Sequence, residues 1–145
     1  MNKVVLDVGG LEGETAVLFS AMGAKKVIIY EPVVIHHEFI KRNVLLNDIE
    51  AELHEEGIGN ADGIQTIHYG SPDGSFGTLS KGQNVMQIKI RNVTDVITES
   101  QADVAKFDCE GAELSILQVP REILRKIDFY IIEVNSQNIR NALTN

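Results

Sequence analysis

The sequence predicts an α/β fold, a doubly wound and mostly parallel sheet with helices on both faces. Two observations carry that reading. Short apolar runs recur at Val4–Val8, Val27–Tyr30, Asp103–Phe107 and Phe129–Val134, and near-continuous apolar runs mark strands covered on both faces. Helical patterns and turn residues alternate with these runs, as βα units require.

Taken in order, Val4–Val8 runs into glycines and is the first strand. Glu14–Met22 carries Ala16, Val17, Leu18, Phe19, Ala21 and Met22, which suits a short, largely buried helix, and Gly23 can cap it. Val27–Tyr30 is the second strand. Pro32 opens a helix on which Ile35, Phe39 and Leu46 recur at helical spacing and predict the buried stripe. Ala51–Ile58 reads as a third strand ending at Gly57 and Gly59. Ile64–Tyr69 and Val85–Ile90 then form a hairpin-like excursion around "GSPDGSFGTLSKGQN", a stretch with the composition of an exposed, mobile loop. Val93–Glu99 predicts a short helix, Asp103–Phe107 a strand, Ala112–Val119 a helix and Phe129–Val134 the last strand.

With 145 residues and 43% hydrophobic residues, the chain is expected to form one domain, residues 1–145. A formal net charge of -8 argues against a polyanionic partner, and the basic pairs Lys25-Lys26 and Lys41-Arg42 are too short for a nucleic-acid surface. Cys109 is the single cysteine and permits no internal disulfide. No apolar run reaches membrane-spanning length and no signal-peptide pattern opens the chain, so no membrane contact and a cytoplasmic location are expected.

The chemistry starts at the strand ends, where ligands bind in such sheets. Asp7, Gly9, Gly10 and Gly13 follow the first strand, and Glu31 ends the second. An acid at that second position can accept hydrogen bonds from both hydroxyls of a ribose, so the pattern points to a nucleoside. A nicotinamide-type glycine motif framed on Gly10 and Gly13 would need glycine where Val8 stands. A P-loop would need lysine after Gly13, where Glu14 stands. Asp7, Glu12 and Glu14 make the turn acidic, which repels a pyrophosphate and suits a cationic ligand carrying a sulfonium and an ammonium, such as S-adenosylmethionine. The blander alternative is that Asp7 caps the turn and Glu14 favours a helix N-terminus.

A second cluster lies in "KFDCEGAE", Lys106 to Glu113. Asp108 ends a strand, and Glu110 and Glu113 follow on a helix start, three apart and thus on one face. Acids in a first helical turn also have a purely structural use, and Lys106 could neutralise one of them. A bound Mg²⁺ or Ca²⁺ is a rival account, although such sites want more oxygen ligands than these residues supply. The paired His36-His37 reads as surface, His54 and His68 fall in strands, and none has zinc-site spacing. Cys109 sits between Asp108 and Glu110, which disfavour a thiolate.

The chain resembles the FkbM family of S-adenosylmethionine-dependent methyltransferases, within the Rossmann-like class I methyltransferase fold. "LDVGGLEGET" is similar to the family's D-x-G-x-x-x-G-x-T opening and "YEP" to its acidic second-strand end. "KRNVLLN" resembles its paired-asparagine helix, here Asn43 and Asn47, and "VTDVI" its T-L-D-D-L-like segment. "AKFDCEGAELSIL" resembles its K-x-D-x-E-G-x-E hallmark and "IIEV" its closing strand. The resemblance implies that Asp7, Gly9 and Gly13 line the methionyl part of the cofactor, with Gly10 in the same turn. It implies that Glu31 binds the ribose and that the turn around Ile58 lies along the adenine. Asp108 would sit near the transferring methyl as first candidate for proton acceptor, Glu110 as second, with Glu113 shaping the site floor. The implied reaction is O-methylation of a hydroxyl on a small molecule or sugar. Open alternatives are a non-catalytic nucleoside-binding module and an NAD binder, the latter disfavoured by Val8 and the acidic turn.

Two departures from the family pattern bear on these expectations. Gly10 and Leu11 stand where the family usually has a small residue and then asparagine. The chain also begins near the first strand and ends soon after Val134. The terminal strand pair of the full class I sheet is therefore expected to be missing, leaving the Phe129–Val134 strand as an edge. A homodimer, or cover by the C-terminal tail, would protect it.

Overall fold

The computed structural model describes residues 2–69, 84–109 and 112–134. Five parallel strands form the main sheet: β1 (Val4–Val8), β2 (Lys26–Tyr30), β3 (Ala51–His54), β7 (Val104–Phe107) and β8 (Phe129–Ile132), in the order β3-β2-β1-β7-β8. The chain winds outward from β1 through β2 to β3, then returns to the other side of β1 with β7. The reversal between β1 and β7 is the switch point at which open α/β sheets hold their ligands.

Alternation along β1 divides its side chains between two cores. Leu6 and Val8, with Ile28, Tyr30, Ala105 and Phe107, meet α3 (Val93–Ser100) and the 3-10 helix Ala112–Gln118. Val5, with Val27, Ile29 and Val104, meets α1 (Glu14–Ala21) and α2 (Val34–Leu46) through Ala16, Phe19 and Ile40. The expected doubly wound sheet, covered on both faces, is present. A short α4 (Arg121–Leu124) leads into β8.

Three details differ from the sequence expectations. The third strand is two strands, because β3 ends at His54 and β4 (Gly57–Gly59) belongs to a separate three-stranded sheet of order β4-β6-β5. The expected hairpin supplies the other two strands, β5 (Gly63–Tyr69) and β6 (Asn84–Asn92), paired antiparallel from Gly63 with Ile90 to Tyr69 with Asn84. Its predicted loop, 70–83, lies outside the described residues, as do Glu110 and 135–145, where the tail was expected to cover the edge. Second, the segment Ala112–Gln118 is 3-10 rather than α-helix.

The third difference is the face of α2. Its buried residues are His36, His37 and Ile40, whereas Ile35 (42%), Phe39 (50%) and Leu46 (68%) are exposed. The helix is rotated from the apolar stripe because both histidines bond to Glu31, at the end of β2. A buried acceptor left without partners would cost more than the exposure of scattered apolar side chains.

Candidate functional site

A cavity of about 370 Å³ opens at the carboxyl ends of the strands, within the ~300–1,000 Å³ range of small-molecule sites. Val8 and Gly9 line it from β1, Glu31 from β2, Asp108 and Cys109 from β7, and Glu133 from beyond β8. The separate small sheet forms the opposite wall, with Ile58 from β4 and Ile67, Ile88 and Ile90 from the hairpin. The described lining thus combines an apolar wall with three carboxylates, Glu31, Asp108 and Glu133, and includes no lysine or arginine. That polarity suits a neutral or cationic ligand with a flat apolar part.

Glu31 is 4% exposed and its carboxylate is held from three directions. Oε2 accepts from the Leu11 N–H at 2.9 Å, and Oε1 accepts from the Val33 N–H at 2.9 Å and meets His36 Nδ1 at 3.1 Å. His37 Nε2 lies 2.7 Å from the backbone oxygen of the same glutamate. The first turn is therefore tied to the second strand, and Gly9 and Gly10 N–H groups reinforce this by donating to the Tyr30 carbonyl. Asn43 donates to the Glu12 carbonyl at 2.8 Å, which gives one of the two helix asparagines a definite task.

Asp7 faces the opposite way. It is fully buried on the α1 side of the sheet, where Thr15 Oγ1 donates to Oδ2 and Lys106 Nζ lies 3.1 Å from Oδ1. Asp7 and Lys106 are register partners on β1 and β7. Burial pushes the Asp7 carboxyl above its ordinary pKa, while Lys106 and Thr15 pull it back. Lys106 also donates to the Gly9 carbonyl at 2.7 Å and stands 3.7 Å from Asp108 Oδ2. This one ammonium thus joins the ends of β1 and β7.

Gly9 has a packing reason to be glycine. Its φ is +82°, and a Cβ there would sit 1.8 Å from the Asp108 carbonyl oxygen. Gly10 has no room either, since a Cβ would lie 2.3 Å from Ile29. Gly10, Gly13 and Asp7 are not among the residues that line the cavity; Gly9, Glu31, Ile58 and Asp108 are.

Asp108 has a side chain 39% exposed, so it can be reached by a ligand. Cys109 is different: burial pushes its thiol far above the usual range, with Glu113 and Asp108 adding to the effect. Its N–H donates to Glu113 Oε1 at 2.6 Å, and Glu113 is 2% exposed. Glu113 therefore braces the turn after β7. Tyr30 stacks on His54 with ring centroids 4.4 Å apart, and burial pushes its hydroxyl up to about 12, so it stays neutral near pH 7. Among the described residues no group of His, Cys, Asp and Glu is arranged to hold a metal ion.

The sequence reading of His36 and His37 as surface is corrected, since both are buried against Glu31, and Glu133 and the apolar hairpin wall were not singled out. Glu133 had a legible signal, since the register of Phe107 with Ile132 puts the residues after them, Asp108 and Glu133, at neighbouring strand ends.

A profile described as the methyltransferase FkbM domain matches residues 7–142. The chain belongs to the FkbM methyltransferase family. Among solved structures, a candidate RNA methyltransferase of Pyrococcus horikoshii is similar over 98% of this chain and 55% of its own, with a TM-score of 0.55 and 15% identity. The FkbM chain thus spans about half the length of that protein, and the likeness is one of fold. A candidate S-adenosylmethionine-dependent methyltransferase of Listeria monocytogenes aligns over 67% of this chain and 71% of its own, with a TM-score of 0.34 and 14% identity. No curated protein matches the sequence. The five-stranded order and the family together make this a class I S-adenosylmethionine-dependent methyltransferase fold. No helix among the described residues is long and apolar enough to cross a membrane.

Proposed function

We propose that this FkbM-family chain binds S-adenosylmethionine in the cavity beside Glu31 and methylates a hydroxyl oxygen of a small molecule or sugar. One observation carries the reading: Glu31 and Asp108 line a single cavity that straddles the switch point. The donor set fits the cofactor. Among the described residues Glu31 Oε2 accepts from the Leu11 N–H, and a carboxylate oxygen has a second acceptor site for a ribose hydroxyl. Ile58 and the hairpin isoleucines offer an apolar surface for adenine, and the three carboxylates suit a sulfonium and an ammonium. When bound, the cofactor supplies an activated methyl group.

The chain's own residues then orient and deprotonate. Asp108 lies on the wall shared by both ligands and accepts the proton of the acceptor hydroxyl. The hairpin contributes apolar side chains, Ile67, Ile88 and Ile90, to the wall, and displacement of water by such a wall strengthens polar contacts inside. Phosphorylated acceptors are disfavoured by Glu31, Asp108 and Glu133.

S-adenosylhomocysteine should raise the melting temperature of the wild-type protein through linkage. Glu31→Ala should remove most of that rise, because it deletes the ribose acceptor. No shift of the wild type at millimolar ligand would refute the cofactor assignment.

Among the described residues β8 is an edge of the main sheet, which supports the proposal of a homodimer. Phe129 and Ile131 are 64% and 51% exposed and point to the same side of the strand. Sedimentation should give a dimer for the wild type and a monomer for Ile131→Lys, since a charge on an edge strand blocks pairing. A monomeric wild type would remove the proposal.

A further inference from the structure

We propose that His36 is a positioning residue for ribose recognition, acting by holding the Glu31 carboxylate in one orientation. The inference rests on the ribose reading of Glu31. A carboxylate has about four acceptor sites. In Glu31, Oε1 is filled by Val33 N–H and His36 Nδ1, while Oε2 holds only the Leu11 N–H among the protein contacts above. An ionised carboxylate only accepts, so the hydrogen of this contact resides on Nδ1.

The terminal torsion of a glutamate is otherwise broad. With Val33 N–H on Oε1 and Leu11 N–H on Oε2 alone, each oxygen would have one donor and the two would be equivalent acceptors. His36 supplies a second donor on the same oxygen, and Oε2 is thereby left as the oxygen with a site to spare. The ring is itself fixed, being 2% exposed on the first turn of α2, beside His37 whose Nε2 meets the Glu31 carbonyl. Two consecutive residues of one helix thus grip the side chain and the backbone of one acid. His36 also lines the cavity, so its effect is exerted at the ligand's wall.

The test measures binding of S-adenosylhomocysteine and of its 2′,3′-dideoxy analogue by calorimetry, and reads the ratio of the two affinities. The wild type should prefer the parent compound by roughly ten- to a hundred-fold, the worth of a hydrogen bond to a charged group. Glu31→Gln and His36→Phe should each collapse that preference to a few-fold. His36→Asn places an amide N–H the same number of bonds from the backbone and should restore most of it. A residue that merely supported the fold would weaken both ligands alike and leave the ratio intact. His36→Ala gives the same ratio should the phenylalanine variant not fold. If Glu31→Gln keeps the preference, the ribose reading falls and this inference falls with it. If Glu31→Gln loses the preference while His36→Phe and His36→Ala keep it, the role of His36 alone is overturned.

Discussion

Asp108→Asn is expected to lower turnover on a hydroxyl acceptor by roughly a hundredfold or more, the usual worth of a positioned general base. Asparagine keeps the size and the hydrogen-bonding reach of the side chain and removes its ability to take a proton. Affinity for S-adenosylhomocysteine should change little, because the side chain is 39% exposed and its recorded ion-pair partner, Lys106, is 3.7 Å away. The measurement follows transfer of labelled methyl from S-adenosylmethionine to a panel of sugars and polyols, with cofactor affinity determined alongside. If Asp108 instead holds the cofactor's ammonium, affinity itself should drop, since a charge-assisted bond is lost. Equal turnover in wild type and variant would refute its role as base. Cofactor binding by both proteins without transfer to any hydroxyl would leave a non-catalytic binding module.

Much of the main sheet was legible because its strands are covered on both faces, so their apolar runs are dense and bounded by glycine or acid. The hairpin was legible for the opposite reason: one face packs and the other does not, as the alternation Val85, Met86, Gln87, Ile88, Lys89, Ile90 records. The break after His54 was not legible. Glu55 and Glu56 interrupt the run, but nothing local says that the ladder with β2 stops there and that Gly57 pairs with Ile90 instead.

The strand-end acids were found as a set, and their division of labour was not. Residue 7 shares a face with Val5, whose partners are α1 and α2, so alternation alone directs Asp7 away from the α3 side. The helix α2 misled for a related reason. Hydropathy ranks Ile35 and Phe39 above two histidines, yet a buried carboxylate at the end of β2 needs donors and takes them from the nearest turn. A polar demand from one element set the rotation of the next.

Lys106→Met should be the most destabilising single change considered for this protein, and its cost should depend on pH. Lys106 is 8% exposed and Asp7 fully buried, with Nζ 3.1 Å from Oδ1. Deleting one partner of a buried pair leaves the other uncompensated, which costs about 3–5 kcal/mol. For a chain of this size that is a fall of roughly 10–16 °C in melting temperature. The pH dependence follows from the direction of the Asp7 shift. Burial raises its folded pKa above the ordinary carboxyl value of 3.8, so above that value the folded state binds more protons than the unfolded chain. Stability contributed by this group therefore falls as pH rises through the window between the unfolded and folded values. Lys106 is the largest influence lowering that folded pKa, so its loss moves the upper edge of the window to higher pH. The variant's deficit should be larger at pH 7 than at pH 4, because protonation of Asp7 removes the uncompensated charge. Adding Asp7→Asn to Lys106→Met should recover part of the loss at pH 7, because the buried charge is gone. Denaturant titrations of the wild type, both single variants and the double variant at the two pH values would measure this. A deficit that is the same at both pH values, or that the second substitution makes fully additive, would show that Lys106 contributes packing rather than charge.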